Sequence, residues 1–159
     1  MNYESWLNTV PEEFKGDALW RTEVYRLSLF STDLAWHDVS KLIRDKRTIS
    51  VADQLNRAVG SISANIAEGY SRQSGKDQAR FYEYALGSAR ESRNWYYQGR
   101  HILTEIVATH RMQLMTQIIR LLLCIVPSER GYKMEEESTH YSATPRELLD
   151  SPPFSITSE

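Results

Sequence analysis

The sequence is poor in the residues that brace or interrupt a chain. One cysteine in 159 residues excludes an internal disulfide. That cysteine, Cys124, lies inside an apolar run, where a buried small hydrophobe in a reducing cytoplasm is the plain expectation. Of five prolines, only Pro11 precedes residue 127. Long apolar runs are missing too. The longest, Ile118 to Val126, is broken by Arg120 and is too short to span a bilayer. The opening MNYESWLNTVPEEF carries acids and no apolar stretch, so no signal peptide is expected. No segment alternates apolar and polar residues as a half-buried strand would.

Catalytic and cofactor signatures are equally scarce. A di-iron bundle needs inward Glu-x-x-His pairs, and residues 17–126 contain none. Cys124 has no Cys/His companion at zinc spacing, and no glycine-rich loop could cradle phosphate. His37, His110 and His140 are scattered. His101 and Glu105 are four apart but straddle a turn. Helical-bundle ribonucleases of the HEPN type place four to six residues between Arg and His. Here Arg93 and His101 are separated by seven residues, and Arg130 and His140 by nine. The expectation is a non-enzyme with no cofactor and no metal.

Helical periodicity is abundant. After a lead-in over residues 1–16, a first helix is expected from Asp17 to Arg44, with Trp20, Val24, Leu27, Ser31, Leu34, Asp38 and Leu42 inward. A polar turn at 45–48 leads to a second helix over 50–70, with Val51, Leu55, Val59 or Ala58, Ile62, Ile66 and Gly69 inward. A loop at 71–75 leads to a third over 76–101, with Phe81, Ala85, Ser88, Ser92, Trp95 and Gly99 inward. Thr104 can cap a fourth, which carries Val107, Arg111, Leu114, Ile118, Leu121 and Ile125 inward and stops at Pro127. Short turns between amphipathic helices require antiparallel neighbours, so the fold expected is all-α, an up-down four-helix bundle over 17–126. Residues 127–159 hold four prolines, many Ser/Thr and the acidic run Glu135 to Glu137, and read as a disordered acidic tail. Within it, Arg146 to Leu149 offers a short docking helix as the alternative.

Charge and side-chain size mark three further features. Residues 15–126 carry 16 Lys/Arg against 11 Asp/Glu, a net of +5, with net acidic segments on either side. The basic groups Arg72, Lys76, Arg80, Arg90, Arg93 and Arg100 fall on or beside the third helix, with Tyr82 and Tyr97 among them. Cations interleaved with rings suit single-stranded nucleic acid; an ordinary solvated face is the alternative. The second helix presents Gly60 and Ala64, and the fourth has Met115, Ile119 and Leu123 off its inward row. These five positions suit either packing within the bundle or an oligomer interface. Inward Asp38, Ser88, Ser92 and Arg111, with Asn65 at an edge, require hydrogen-bond partners.

The stretch from Asp53 to Arg93 carries Gln54-Leu55-x-Arg57-Ala58, Ser61-Ile62-x-x-Asn65-Ile66-Ala67-Glu68-Gly69, Arg72, Phe81 and Ala85-Leu86-Gly87-Ser88-Ala89-Arg90-Glu91. In order and spacing it resembles a family of four-helix bundle proteins often encoded within intervening sequences of 23S rRNA genes. The resemblance extends more loosely over 20–126. It implies a four-helix protomer, often a homopentamer. It also implies kinship with the accessory variability determinant of diversity-generating retroelements, which partners a reverse transcriptase and binds nucleic acid through a basic surface. On that likeness Asn65, Glu68, Gly69, Ser88 and Glu91 are structural. Asn65 and Glu68 are expected to bond toward the third helix, and Gly69 to end the second. The function expected is oligomeric RNA binding or ribonucleoprotein assembly, with RNA or a reverse transcriptase as partner and no membrane. A protein-interaction scaffold is the alternative.

Overall fold

The computed structural model describes residues 2–130 and 144–155. Among them all regular secondary structure is helical: α1 (Tyr3–Thr9), α2 (Glu12–Lys15), a 3-10 turn (Ala18–Arg21), α3 (Glu23–Leu42), α4 (Ile49–Tyr70), α5 (Gly75–Leu103), α6 (Glu105–Arg130) and α7 (Arg146–Asp150). The four long helices pack in chain order, and α6 returns against α3 to close the bundle. No described helix is long and apolar enough to cross a membrane.

In α3 the expected row from Val24 to Leu42 is buried throughout, including Asp38. The helix begins later than Asp17. That residue instead caps the 3-10 turn, accepting from the Leu19 amide at 2.8 Å. In α4 the expected row is buried from Val51 to Gly69. A Cβ on Gly69 would sit 2.8 Å from the Tyr82 ring and 3.0 Å from the Phe81 Cβ. Gly69 therefore permits close approach of α4 and α5. The helix itself ends at Tyr70, so the expectation of a terminating glycine is corrected.

The buried face of α5 is rotated from the one expected. Ala85, Ser92 and Gly99 are buried as expected, but Tyr82, Leu86, Ala89 and Tyr96 join them. Phe81, Ser88 and Trp95 are only half-buried shoulders. One residue, Thr104, joins α5 to α6. Its φ of 79° lies in a region β-branched residues rarely adopt, a local strain held by the two long helices it connects. Helix α6 continues through Pro127 to Arg130 rather than stopping there. The missing N–H removes one bond near the end of a 26-residue helix. Cys124 is exposed, not buried as expected.

Both flanking segments belong to the packed unit. The lead-in is helical: Asn2 and Ser5 form a reciprocal capping box on α1. Tyr3 and Trp6 pack on Phe30 with ring centroids 5.2 and 5.3 Å apart, and the Trp6 indole N–H donates to Asp33 at 2.5 Å. Residues 144–155 return to the bundle as a strap around α7, which corrects the expectation of disorder for that part of the tail. The Gln117 amide donates to the Thr144 hydroxyl, which in turn donates to Glu23. Leu148 and Pro152 are buried, and the Ser155 hydroxyl donates to the Leu103 carbonyl. The remaining tail, including Glu135 to Glu137, lies outside the described residues.

The apolar excess on α6 is absorbed by this arrangement. Met115 is fully buried and Ile119 nearly so, within one chain. Both face the inside of the protomer, so these two positions are corrected from interface to core, while Ile106, Thr109, Gln113, Arg120 and Cys124 keep one side of α6 exposed.

Candidate functional site

The expected basic positions separate into groups along α5. At the α4–α5 turn, Arg72 and Arg80 lie against the Phe81 ring, with guanidinium carbons 4.6 and 5.4 Å from its centroid. Tyr84, half exposed, meets Phe81 edge-on at 5.8 Å. Lys76 is exposed beside them on the first turn of α5. Each arginine here has an acidic neighbour: Arg72 pairs with Glu68, and Arg80 lies 3.7 Å from Asp77. These pairs are solvent-exposed and weak, so they leave the cations available to a polyanion. Arg90 is exposed at mid-helix, while Arg93 reaches across to the Thr116 hydroxyl on α6 at 3.2 Å. Farther along, Arg100 lies over the exposed Tyr97 ring at 3.9 Å. Tyr82 is withdrawn from the set. It is a core residue against Gly69 and cannot stack on a base without unpacking the α4–α5 contact.

The motif positions bond locally rather than across the bundle. The Asn65 side-chain amide donates to the Ser61 carbonyl of its own helix at 2.8 Å. Glu68 pairs with Arg72 one turn on. The expectation that both reach α5 is therefore corrected: Asn65 is half-buried and Glu68 exposed, so neither depends on a distant partner. Ser88 donates to the Tyr84 carbonyl, and Glu91 accepts from the Trp95 indole at 3.1 Å, again within one helix. Of the expected interface positions, Gly60 is half-buried and Ala64 exposed on α4, with nothing within 4 Å of a Cβ added at Gly60; Leu123 is half-buried on α6.

The polar residues that do cross the core form a chain ending at the strap. Arg111, fully buried on α6, donates from Nε to Asp38 on α3 at 2.7 Å and from Nη2 at 3.3 Å. Its Nη2 also donates to the Pro153 carbonyl at 2.9 Å. The Tyr96 hydroxyl on α5 donates to the same Asp38 at 3.2 Å. His110 lies between Arg111, whose Nη1 is 2.9 Å from Nδ1, and the Leu148 carbonyl, 2.8 Å from Nε2. A guanidinium only donates and a carbonyl only accepts, so His110 is neutral with its proton on Nε2. Burial lowers the His110 pKa and raises the Tyr96 pKa well above the usual phenol range. Burial also raises the Asp38 pKa, against the pull of Arg111.

Tyr96 and His110 were not singled out from the sequence as partners of this centre. An inward Asp38 and an inward Arg111 were the available signals. Among the described residues no group of three His, Cys, Asp or Glu is placed to hold a metal ion.

Comparison with known proteins agrees with this architecture. No curated protein matches the chain. A solved structure matches with a TM-score of 0.61 and 25% sequence identity, covering 65% of this chain and 97% of its own. It is a protein of unknown function from the S23 ribosomal protein family of Bacteroides thetaiotaomicron. The profile of the 23S rRNA-intervening sequence proteins matches residues 21–124, from the 3-10 turn to near the end of α6. The chain therefore belongs to the 23S rRNA-intervening sequence protein family.

Proposed function

We propose that the protein is a non-enzymatic, oligomeric nucleic-acid-binding protein that meets RNA along the outer side of α5. The observation that carries this reading is the platform at the α4–α5 turn. There Arg72 and Arg80 flank Phe81 while Tyr84 and Lys76 stay open to solvent. Rings accept unpaired bases, and the cations accept phosphates without reading sequence. Arg90, Tyr97 and Arg100 continue the track along the helix. The family likeness suggests a ribonucleoprotein setting, with a reverse transcriptase as the protein partner.

The test is filter binding of a single-stranded RNA across a salt series. Replacing Arg72 and Arg80 with Glu should weaken binding across sequences and flatten the salt dependence by about one unit of slope per lost phosphate contact. Wild-type protein that retains no RNA at about 50 mM salt, where phosphate-driven association is strong, overturns the reading.

A second reading, a protein-interaction scaffold, is favoured by apolar side chains left open. Trp36 is 70% and Ile106 73% exposed. Under that reading the wild type binds no RNA at low salt.

A further inference from the structure

Asn65 and Ser88 stand beside the α4–α5 contact without bridging it. Asn65 donates one amide hydrogen to the Ser61 carbonyl of its own helix, and Ser88 donates to the Tyr84 carbonyl of its own. Neither bond joins the two helices, so neither accounts for a polar side chain at a half-buried position. An alanine in place of Asn65 would favour the helix more. The groups of Asn65 that remain are its carbonyl oxygen and one N–H. They form an acceptor beside a donor, with no partner among the described residues.

Helix register decides what lies at the level of this pair. A Cβ on Gly69 would lie 3.0 Å from the Phe81 Cβ, so these two residues meet across the seam. Asn65 is one turn before Gly69 on the same row of α4, and Tyr84 is one turn after Phe81 on α5. The helices are antiparallel neighbours, so both steps lead the same way along the seam. They bring Asn65 to the level of Tyr84, which is 53% exposed and meets Phe81 edge-on. An open ring and a free acceptor–donor pair thus share one level, a turn away from the arginines on Phe81.

We propose that Asn65 reads an adenine of a bound single-stranded RNA, accepting from the N6 amino group and donating to N7 while the base stacks on Tyr84. That edge of adenine sets a donor beside an acceptor. Guanine has two acceptors there, and cytosine and uracil have no N7. Unstacked bases held on a ring and bonded along one edge are how proteins read RNA sequence. The inference rests on the α5 reading and adds to it. The cations take phosphates of any sequence, and α4 supplies the preference.

Filter binding with the full chain tests the assignment. The probes are an octamer of uridines and the same octamer with adenines or 7-deazaadenines at its central positions. The adenine octamer should bind about tenfold more tightly than the uridine octamer, and the 7-deaza form, which lacks the N7 acceptor, should lose most of that gain. Asn65→Ala should narrow the preference to within about twofold, whereas Arg72→Glu with Arg80→Glu should weaken both octamers alike. Tyr84→Ala should weaken the adenine octamer, and Tyr84→Phe should restore it. The bond that Asn65→Ala removes lies within α4, so the variant should keep the wild-type melting point. A lowered melting point, with both affinities falling together, assigns Asn65 to structure alone and overturns the proposal. Equal wild-type affinity for the uridine and adenine octamers overturns it and leaves the α5 reading standing. So does an adenine preference that survives Asn65→Ala or the 7-deaza substitution. No binding of any octamer at about 50 mM salt overturns both.

Discussion

At the scale of single residues, the buried pair dominates. Asp38 and Arg111 have side chains 2% and 1% exposed, and each is the other's charge partner. Removing one strands a buried charge, whereas removing both with apolar replacements of similar size does not. Asp38→Leu should therefore cost about 3–5 kcal/mol, and the double variant Asp38→Leu, Arg111→Met should recover most of it. Urea denaturation of the two proteins checks this, and equal loss in both would refute it. Glu68→Leu contrasts with these. Its ion pair with Arg72 is solvent-exposed, and the expected change is within about 0.5 kcal/mol. Gly69→Ala should cost about 1–3 kcal/mol, because the added methyl would press on the Tyr82 ring. A thermal midpoint for Gly69→Ala matching the wild type would show that α5 yields freely at this contact.

At the scale of elements, the strap and α6 depend on a histidine that must stay neutral. The His110 pKa in the folded protein lies below its ordinary value of 6.5, with burial the main cause. On acidification below 6.5, the unfolded chain takes up a proton that the folded chain resists, so stability falls as the pH drops toward the folded-state pKa. Above 6.5 both states are neutral at this position, and its contribution is constant. A proton on Nδ1 would also face the Arg111 guanidinium. Denaturation midpoints should therefore fall between pH 7.5 and 5.5, and His110→Gln should flatten that dependence. An unchanged slope in the variant would place the pH sensitivity elsewhere.

Residue patterns announce some of these elements and not others. The inward rows of α3 and α4 were readable because β-branched and aliphatic residues recur at helical spacing. The α5 face was displaced because Phe81 and Tyr82 are adjacent rings of similar size, and only the approach of Gly69 decides which one goes in. The strap was unreadable for a different reason. Its contacts to His110 and Arg111 run through the carbonyls of Leu148 and Pro153, and every residue type has a carbonyl. The α5 cations were readable as a group, but not the pairing of Arg93 with Thr116 or the withdrawal of Tyr82.

At the scale of the whole molecule, the outer side of α4 is the open question for assembly. Gly60 has empty space where a side chain would be, and Ala64 is exposed four residues on. Small residues at this spacing allow another backbone to come close. Light scattering at micromolar concentration should give a multiple of the 18.5 kDa chain, with a pentamer expected from the family likeness. Gly60→Lys with Ala64→Arg should yield a folded monomer, since neither side chain displaces anything within the protomer. A monodisperse wild-type monomer would refute the expectation.

The strap also sets an order of events in time. The helical hairpins α3–α4, α4–α5 and α5–α6 join neighbours in sequence and can form early. The contact of Thr144 with Glu23 spans 121 residues, and that of Ser155 with Leu103 spans 52. During synthesis α6 emerges from the ribosome before residues 144–155 do. Its apolar side and the third donor direction of Arg111 face water through that interval. Sealing is therefore expected as the last step of folding, and its reversal as the first step of opening. Amide hydrogens of 144–155 should accordingly exchange well before those of α4 and α5, at rates set by local release rather than global unfolding.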